Sequence, residues 1–260
     1  MSTGYPFDGK KYEQASQCQQ EWGIEIVEAL TLRGDERILD LGCGTGVVTR
    51  ALADRVPRGF VLGIDNSRSM LEVASAHQRA NLAFALLDIT ELPFEAEFEV
   101  IFSNATLHWI ADHERLMKKL YRALTPGGFL RLQFGAAGNV ATLIEVLQHV
   151  MGEPVYAPWF EQFRWPWYMP QPEEYERLLA RSDFTRYRIW GEQKDRYFAD
   201  KAAFARMIEE PGLVPFLIPL PETLKQSFRE RVLEQVLERT RQPDGGHFEQ
   251  FRRINLYAEK

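Results

Sequence analysis

The chain is poor in cysteine, with two thiols, Cys18 and Cys43, among 260 residues. Two thiols cannot form a disulfide framework or a four-thiolate metal site. No apolar run reaches membrane-spanning length, and nothing at the start reads as a signal peptide. A cytoplasmic protein without membrane contact is expected. Positive charge is not in excess: 31 Lys and Arg stand against 37 Asp and Glu, for a net charge of −6. No basic cluster has the density that phosphate-backbone binding requires, so no nucleic-acid partner is expected. The H-E-x-x-H, paired-cysteine and carboxylate-rich ligand patterns are missing as well, and no metal is expected.

What is present is globular, with 45% hydrophobic and 26% charged residues. That suits one α/β domain with a small attached lobe. Helical periodicity covers residues 16–30, where Trp22, Ile26, Val27 and Leu30 share a face. Short apolar runs at 37–41, 60–64, 82–87, 99–103 and 129–134 alternate with helical stretches at 47–55, 67–76 and 112–124. Ser67 or Ser69 can cap the second of these helices. Strands separated by helices argue for a parallel sheet covered on both faces. Farther along, 142–150, 173–181, 199–209 and 222–240 read as helices, and 187–193 and 254–258 as late strands. The aromatic stretch 158–168 is broken by Pro166 and is neither a simple helix nor a central strand.

The most informative residues are ILDLGCGTG at 38–46, an apolar run ending in Asp40 and opening into glycines at alternate positions. Glycine lets the backbone bend sharply and approach a ligand without a β-carbon. Ligands of open α/β sheets sit outside the carboxyl ends of the strands. Asp65 ends the second run and suits a pair of ribose hydroxyls. Asp88 closes the third, positioned for an adenine amino group with Ile89 against the ring. A dinucleotide fingerprint is G-x-G-x-x-G with its pyrophosphate at a helix N-terminus. Here the spacing is G-x-G-x-G after an acid, which favours S-adenosylmethionine, whose sulfonium and amino-acid end meet the negative charge of Asp40.

These motifs give the chain a resemblance to the class I S-adenosylmethionine-dependent methyltransferases. ILDLGCGTG resembles that family's cofactor loop, GIDNS at 63–67 its acidic second motif, and LLDI at 86–89 its adenine-side motif. FSNATLHWI at 102–110 and LTPGGFL at 124–130 resemble the segments around its fourth and fifth strands. Together with NATLHW, the aromatic-rich C-terminal half is most similar to the trans-aconitate methyltransferase group, which methylates a carboxylate oxygen. The resemblance implies a Rossmann-like α/β fold: a mostly parallel seven-stranded sheet, helices on both faces and a C-terminal cap. It implies a cofactor-covering segment at 1–30, a cofactor-binding core at 31–135, acceptor-side insertions at 136–185 and 195–250, and late strands at 186–194 and 251–260.

Cofactor contacts are expected from Asp40, Gly42, Cys43, Gly44, Gly46, Asp65, Asn66, Met70, Asp88, Ile89, Asn104 and Ala105. The covering segment adds Tyr12 and Gln17. Acceptor contacts are expected from His108, Trp109, Trp159, Trp165, Trp167, Tyr168 and Arg253, the last competing with Arg252 for an acidic group. His108 is the candidate catalytic residue, needed as a base only if the acceptor is a phenol, hydroxyl or amine rather than an ionised carboxylate. The expected reaction is in-line displacement onto a small-molecule acceptor, carboxylate oxygen first, with a phenol, amine or carbon acceptor as the alternative. A nicotinamide oxidoreductase and a non-catalytic adenosylmethionine-binding subunit remain open. So does the choice between a monomer and a homodimer packed through 222–240.

Overall fold

The computed structural model describes residues 5–260, so residues 1–4 of the expected covering segment lie outside the described residues. The chain begins with two short helices, α1 (Gly9–Ala15) and α2 (Gln17–Ala29). Strand β1 (Arg37–Leu41) and helix α3 (Val47–Arg55) follow, then β2 (Phe60–Asp65), α4 (Arg68–Ala74), β3 (Leu82–Leu86) and β4 (Phe98–Asn104). Helix α5 (His113–Ala123) leads into β5 (Leu124–Gly135). The second half runs through α6 (Ala141–Met151), α7 (Ala157–Phe160), α8 (Pro172–Leu179), β6 (Arg186–Gln193), β7 (Arg196–Phe198) and α9 (Lys201–Ile208). It closes with α10 (Val214–Leu217), α11 (Glu222–Thr240), β8 (His247–Glu249) and β9 (Arg252–Glu259).

Seven strands form one sheet in the order β3-β2-β1-β4-β5-β9-β6. The first five are mutually parallel, and β9 runs antiparallel to both β5 and β6. This is the expected seven-stranded, mostly parallel architecture. Strand order reverses at β1, flanked by β2 on one side and β4 on the other. Crossovers leave to opposite faces there and open a crevice at the carboxyl ends. Ile38, Leu39 and Leu41 of β1 are fully buried, as a strand covered on both faces requires.

Two hydrophobic layers hold the sheet. One packs Leu116, Met117 and Leu120 of α5 and Tyr175 of α8 against Leu130, Leu132, Phe134, Ile254 and Leu256. The other sets Ile26 and Val27 of α2 and Leu52 of α3 against Ile38, Val61, Val100 and Phe102. A third core belongs to the second half, where α6, α9, α10 and α11 pack around Phe204, Phe216, Phe228 and Val232. Trp22 joins this third core from α2 and ties the lobe to the sheet domain.

The short elements escape the sequence reading, α10 and the single turn α7 among them, and two of them are instructive. Helix α1 has no apolar stripe, yet Asp8 caps it by accepting from the backbone N–H groups of Lys10 and Lys11. A β-carbon on Gly9 would lie 2.3 Å from the Ser69 carbonyl oxygen, so glycine is what lets α1 lie against α4. The β7–β8 ribbon pairs three residues with three, too short for any periodicity to register. Elsewhere the expectations are close. Ser67 caps α4 by accepting from Met70 N–H, and the stretch 158–168 contributes only the end of the single turn α7 before running irregularly. Among the described residues no helix is long and apolar enough to cross a membrane.

Candidate functional site

A cavity of about 830 Å³ opens at the carboxyl ends of β1, β2 and β4. Its floor is the glycine turn after β1. Gly42 and Cys43 donate their N–H groups to the Ile64 carbonyl, which ties the turn to β2. Gly42 and Gly44 both have left-handed backbone, with φ of 67° and 53°. A β-carbon at Gly42 would lie 2.1 Å from Thr106, whereas at Gly44 it would meet no described atom within 4 Å. Gly42 is therefore required by packing, and Gly44 by backbone conformation and by its open face on the cavity. Gly46 lies at the N-cap of α3 against Phe84 and does not line the cavity wall.

Asp65 ends β2 in that wall. Its Oδ2 accepts from Gly44 N–H at 3.0 Å and its Oδ1 from Ser67 N–H at 2.9 Å. Burial raises its pKa, and the backbone N–H groups oppose the rise. Asn66 N–H is the third of these donors, which orients the carboxylate without filling its acceptor capacity of about four. Asn66 and Met70 continue the wall, and Asp88, Ile89 and Thr90 close its far side. Asp88 Oδ1 accepts from Thr90 N–H and from the Thr90 hydroxyl.

Asp40 is placed otherwise than expected. It is buried behind the turn, outside the cavity wall, and accepts the Thr49 hydroxyl at 2.7 Å. Burial pushes its carboxyl up to about 7, against the Thr49 hydrogen bond, and the charge of Asp65 adds to the rise. Asp40 thus anchors the first turn of α3 from beneath. Gln17 needs a clear correction, because it is exposed at the start of α2. Gln19 and Gln20 face the site instead, bordering a side cavity of about 60 Å³ with Ser16, Cys43, Gly44 and Asn104. Residues two positions apart on a helix point to different faces, and the sequence did not show which face turned inward.

Asn104 donates from Nδ2 to the Gln19 carbonyl at 2.7 Å. Its Oδ1 and Gln19 Oε1 are buried without a partner among the described residues. Two orphaned acceptor oxygens beside a glycine turn fit a ligand end that carries N–H donors and positive charge, as the amino-acid end of S-adenosylmethionine does. The open face of Gly44 and the oriented carboxylate of Asp65 fit its sugar. Tyr12 and Ala105 border all three cavities. Ala105 has a left-handed φ of 56°, and burial pushes the Tyr12 hydroxyl up to about 12.

A second side cavity, also about 60 Å³, adjoins through Tyr12, Gln19 and Ala105 and is walled by His108, Trp109, Trp167 and Arg253. Gly135 N–H faces His108 Nδ1 at 3.5 Å, an approach that suits the tautomer with its hydrogen on Nε2. Burial drives the His108 pKa down to about 3, and the charges of Arg253 and His113 push the same way. His108 is therefore neutral at pH 7, a donor through Nε2 and a poor proton acceptor, which counts against the expected base role. Trp109 packs against Tyr5, Phe7 and Trp167 and reaches the main cavity as well.

Arg253 is 3% exposed, with its guanidinium carbon 5.2 Å from the centre of the Trp22 ring. Burial lowers its pKa to about 10. Its Nε and Nη2 have no hydrogen-bond partner among the described residues. Glu192, opposite it in the strand register, accepts from Gln133 and Asn255 instead. Arg252 is engaged with Asp195, so of the two arginines only Arg253 borders the cavity. The aromatic stretch contributes less than expected. Trp159 is 46% exposed, Trp165 packs edge-on against Trp167 and Phe216, and Tyr168 donates its hydroxyl to Glu174. None of these three borders a described cavity, whereas Trp167 does. The sequence reading missed Gln19, Trp22 and Thr106. Trp22 was visible only as a helix-face hydrophobe, and its part in the wall depends on a strand 231 residues away. Among the described residues no group of three or more His, Cys, Asp or Glu is arranged to hold a metal ion.

A family model described as a methyltransferase domain matches residues 38–128. A trans-aconitate 2-methyltransferase of Deinococcus radiodurans is 40% identical over 126 residues, and the match spans 48% of each chain, about half the length of that relative. A trans-aconitate 2-methyltransferase of Variovorax paradoxus is 36% identical over 207 residues, 77% of each chain. Among solved structures, the YcgJ protein of Bacillus subtilis superposes with a TM-score of 0.64 at 16% identity, covering 92% of this chain and 98% of that one. That last likeness is one of fold.

Proposed function

Because the chain belongs to the class I S-adenosylmethionine-dependent methyltransferases, we propose that it methylates a carboxylate oxygen of a small acid. Membership in that family removes the nicotinamide oxidoreductase from consideration. The reading rests above all on Arg253, a buried guanidinium with unpartnered N–H groups in a cavity that adjoins the glycine-turn cavities. A buried charge is strongly disfavoured until it is paired, and a carboxylate matches a guanidinium fork in both charge and geometry. The names of the two relatives point the same way.

S-adenosylmethionine bound at the glycine turn supplies an electrophilic methyl carbon on a sulfonium. The chain's own part is placement. Asp65 and Asp88 would hold the sugar and the adenine, with Ile89, Met70 and Asn66 around them. Gln19 and Asn104 would accept from the amino-acid end, and Tyr12 and Ala105 stand where this compartment meets that of the acceptor. Alignment of nucleophile and electrophile supplies several kcal/mol of a displacement barrier. A carboxylate is ionised at neutral pH, so no base is required. Neutral His108 then serves by donating Nε2–H to an acceptor oxygen. Residues 5–30 cover the cofactor, 31–135 bind it, and the insertions at 136–185 and 195–250, with the late strands at 186–194 and 251–260, build the acceptor side.

The test is incubation with labelled S-adenosylmethionine and a panel of small acids, phenols and amines. An alkali-labile methyl ester is the expected product. Label recovered only as an N-methyl or aryl ether product would overturn the carboxylate assignment.

A further inference from the structure

His113, the first residue of α5, is 2% exposed and borders none of the three described cavities. Its Nε2 lies 2.9 Å from the Leu107 carbonyl oxygen, and its Nδ1 lies 3.0 Å from the Tyr175 hydroxyl. A carbonyl only accepts, so Nε2 carries a hydrogen and donates it to Leu107. Burial drives the His113 pKa down to about 4, against the Leu107 and Ile110 carbonyls and the charge of Asp112. The ring is therefore neutral at pH 7, and bare Nδ1 accepts from Tyr175, a fully buried residue of α8. Hydroxyl, imidazole and carbonyl form one directed chain, and it ends on Leu107.

Leu107 opens the 3₁₀ turn Leu107–Trp109, which carries His108 and Trp109 to the wall of the acceptor cavity. Within the turn, Trp109 N–H donates to Thr106 O and Ile110 N–H to Leu107 O, both at 3.0 Å. So short a turn has few bonds of its own. Two successive carbonyls are held from outside it, Leu107 O by His113 and His108 O by Tyr168 N–H at 2.7 Å. The His113 ring also packs on Tyr168, Tyr175 and Phe134, with centres 4.8, 5.4 and 5.5 Å apart. Phe134 precedes Gly135, whose N–H faces His108. The imidazole thus stands where the turn, the end of β5 and the inserted segment meet.

We propose that His113 is a positioning residue for methyl transfer. Through the Leu107 carbonyl it fixes the peptide that carries His108 and Trp109, and so sets where the acceptor stands relative to the methyl group. This role rests on the placement of the acceptor against His108 and Trp109 given above, and not on the acceptor's being a carboxylate. Trp109 borders the main cavity as well as the acceptor cavity, so a displaced turn misaligns the two reactants. A misplacement of about 1 Å costs on the order of a hundredfold in rate. His113 itself touches neither reactant.

The experiment compares the native protein with His113→Phe, His113→Asn and His113→Gln. Phenylalanine keeps a ring and deletes both hydrogen bonds. Glutamine carries an amide N–H about as far out as Nε2 and still accepts from Tyr175, whereas asparagine reaches only about as far as Nδ1. The acceptor is the most rapidly methylated compound of the panel above, and calorimetry with S-adenosylhomocysteine is the folding control. In the Phe and Asn variants kcat should fall about tenfold or more, and in the Gln variant it should stay within about threefold of native. Cofactor-product affinity should be nearly unchanged in all three. A merely structural histidine would rank the variants by melting temperature, and Gln, which loses the ring contacts, would then do worse than Phe. Native kcat in His113→Phe, or an equal fall in His113→Gln, would overturn the positioning role. Nitrogen-15 spectra of the native protein with S-adenosylhomocysteine need neither variant nor acceptor. They should place the His113 hydrogen on Nε2 at pH 7, and a hydrogen on Nδ1 or a charged ring would overturn the role as well. An N-methyl or aryl ether product would remove the carboxylate reading, while the same pattern of kcat values would still uphold His113.

Discussion

The cofactor side and the acceptor side of this molecule are built from different materials. The first is made largely by backbone, with strand ends, left-handed turns and N–H groups that orient one carboxylate within residues 38–106, and Tyr12, Gln19 and Gln20 reach it from the first two helices. The second is made by side chains delivered from four separate segments, with Trp22 from α2, His108 after β4, Trp167 from an irregular stretch and Arg253 from β9. A backbone site is a property of a short sequence, so its chemistry can change little without destroying it. A side-chain site assembled over 231 positions can be revised one residue at a time. The proposed division of labour, an unvarying donor and a variable acceptor, follows from that contrast.

Four substitutions break or sharpen the comparison, and they separate by size. Gly44→Val should strike hardest on the backbone side. It strains a residue at φ 53° by about 1–2 kcal/mol and fills the open face, so cofactor affinity should fall more than a hundredfold while the protein still folds. Calorimetric titration with S-adenosylhomocysteine reads this, and normal binding would remove the turn from the site. Asp65→Ala comes next. Loss of charged hydrogen bonds worth roughly 1.5–3 kcal/mol predicts a 10- to 150-fold weaker cofactor, and unchanged affinity in folded protein would contradict its ribose role.

Asp40→Asn tests the buried acid behind the turn by stability rather than binding. Its folded pKa, pushed up to about 7, lies above the ordinary 3.8, so the folded state holds the proton more tightly. Without cofactor, Asp40 should lower stability as pH rises from near 4 to near 7, by at most a few kcal/mol. The Asn variant should flatten that slope in denaturant titrations, and an unchanged slope would mean that Asp40 ionises normally. His108→Gln should have the smallest effect, because Gln retains an N–H donor. With a carboxylate acceptor kcat should change less than about tenfold, and neither protein should show a rate limb near pH 6.5. A limb lost in the variant would restore the base role.

The same contrast explains what could be read from the sequence. The five parallel strands were legible because buried parallel strands are apolar runs punctuated by turns, the count of seven was implied by the family resemblance, and ILDLGCGTG marks a conformation only glycines reach easily. Asp65 and Asp88 were legible because they end such runs. Gln17 was misplaced for a local reason: helical phase cannot be fixed at the first residue of α2, and Gln19 has the same chemistry two positions on. Asp40 looked like a ligand contact but lies one layer deeper, bonded to Thr49. Trp159, Trp165 and Tyr168 shared a conspicuous composition with Trp167, yet tertiary packing alone sets which ring faces a cavity: Trp165 and Trp167 both pack on Phe216, and only Trp167 also meets Trp109 beside the site. Trp22 gave no signal beyond apolarity, since its wall partner Arg253 comes from the far end of the chain.

One consequence follows from β9 running against its neighbours. Its first residues, not its last, share an edge with the carboxyl ends of the parallel strands, and its far end pairs with the 126–128 turn through Gly127 N–H to Lys260 O and Lys260 N–H to Gly128 O. A fluorophore or surface tether attached at exposed Pro126 would therefore sit a full strand length behind the cavities. Immobilised or labelled in this way, the protein should still admit and release its small ligands freely.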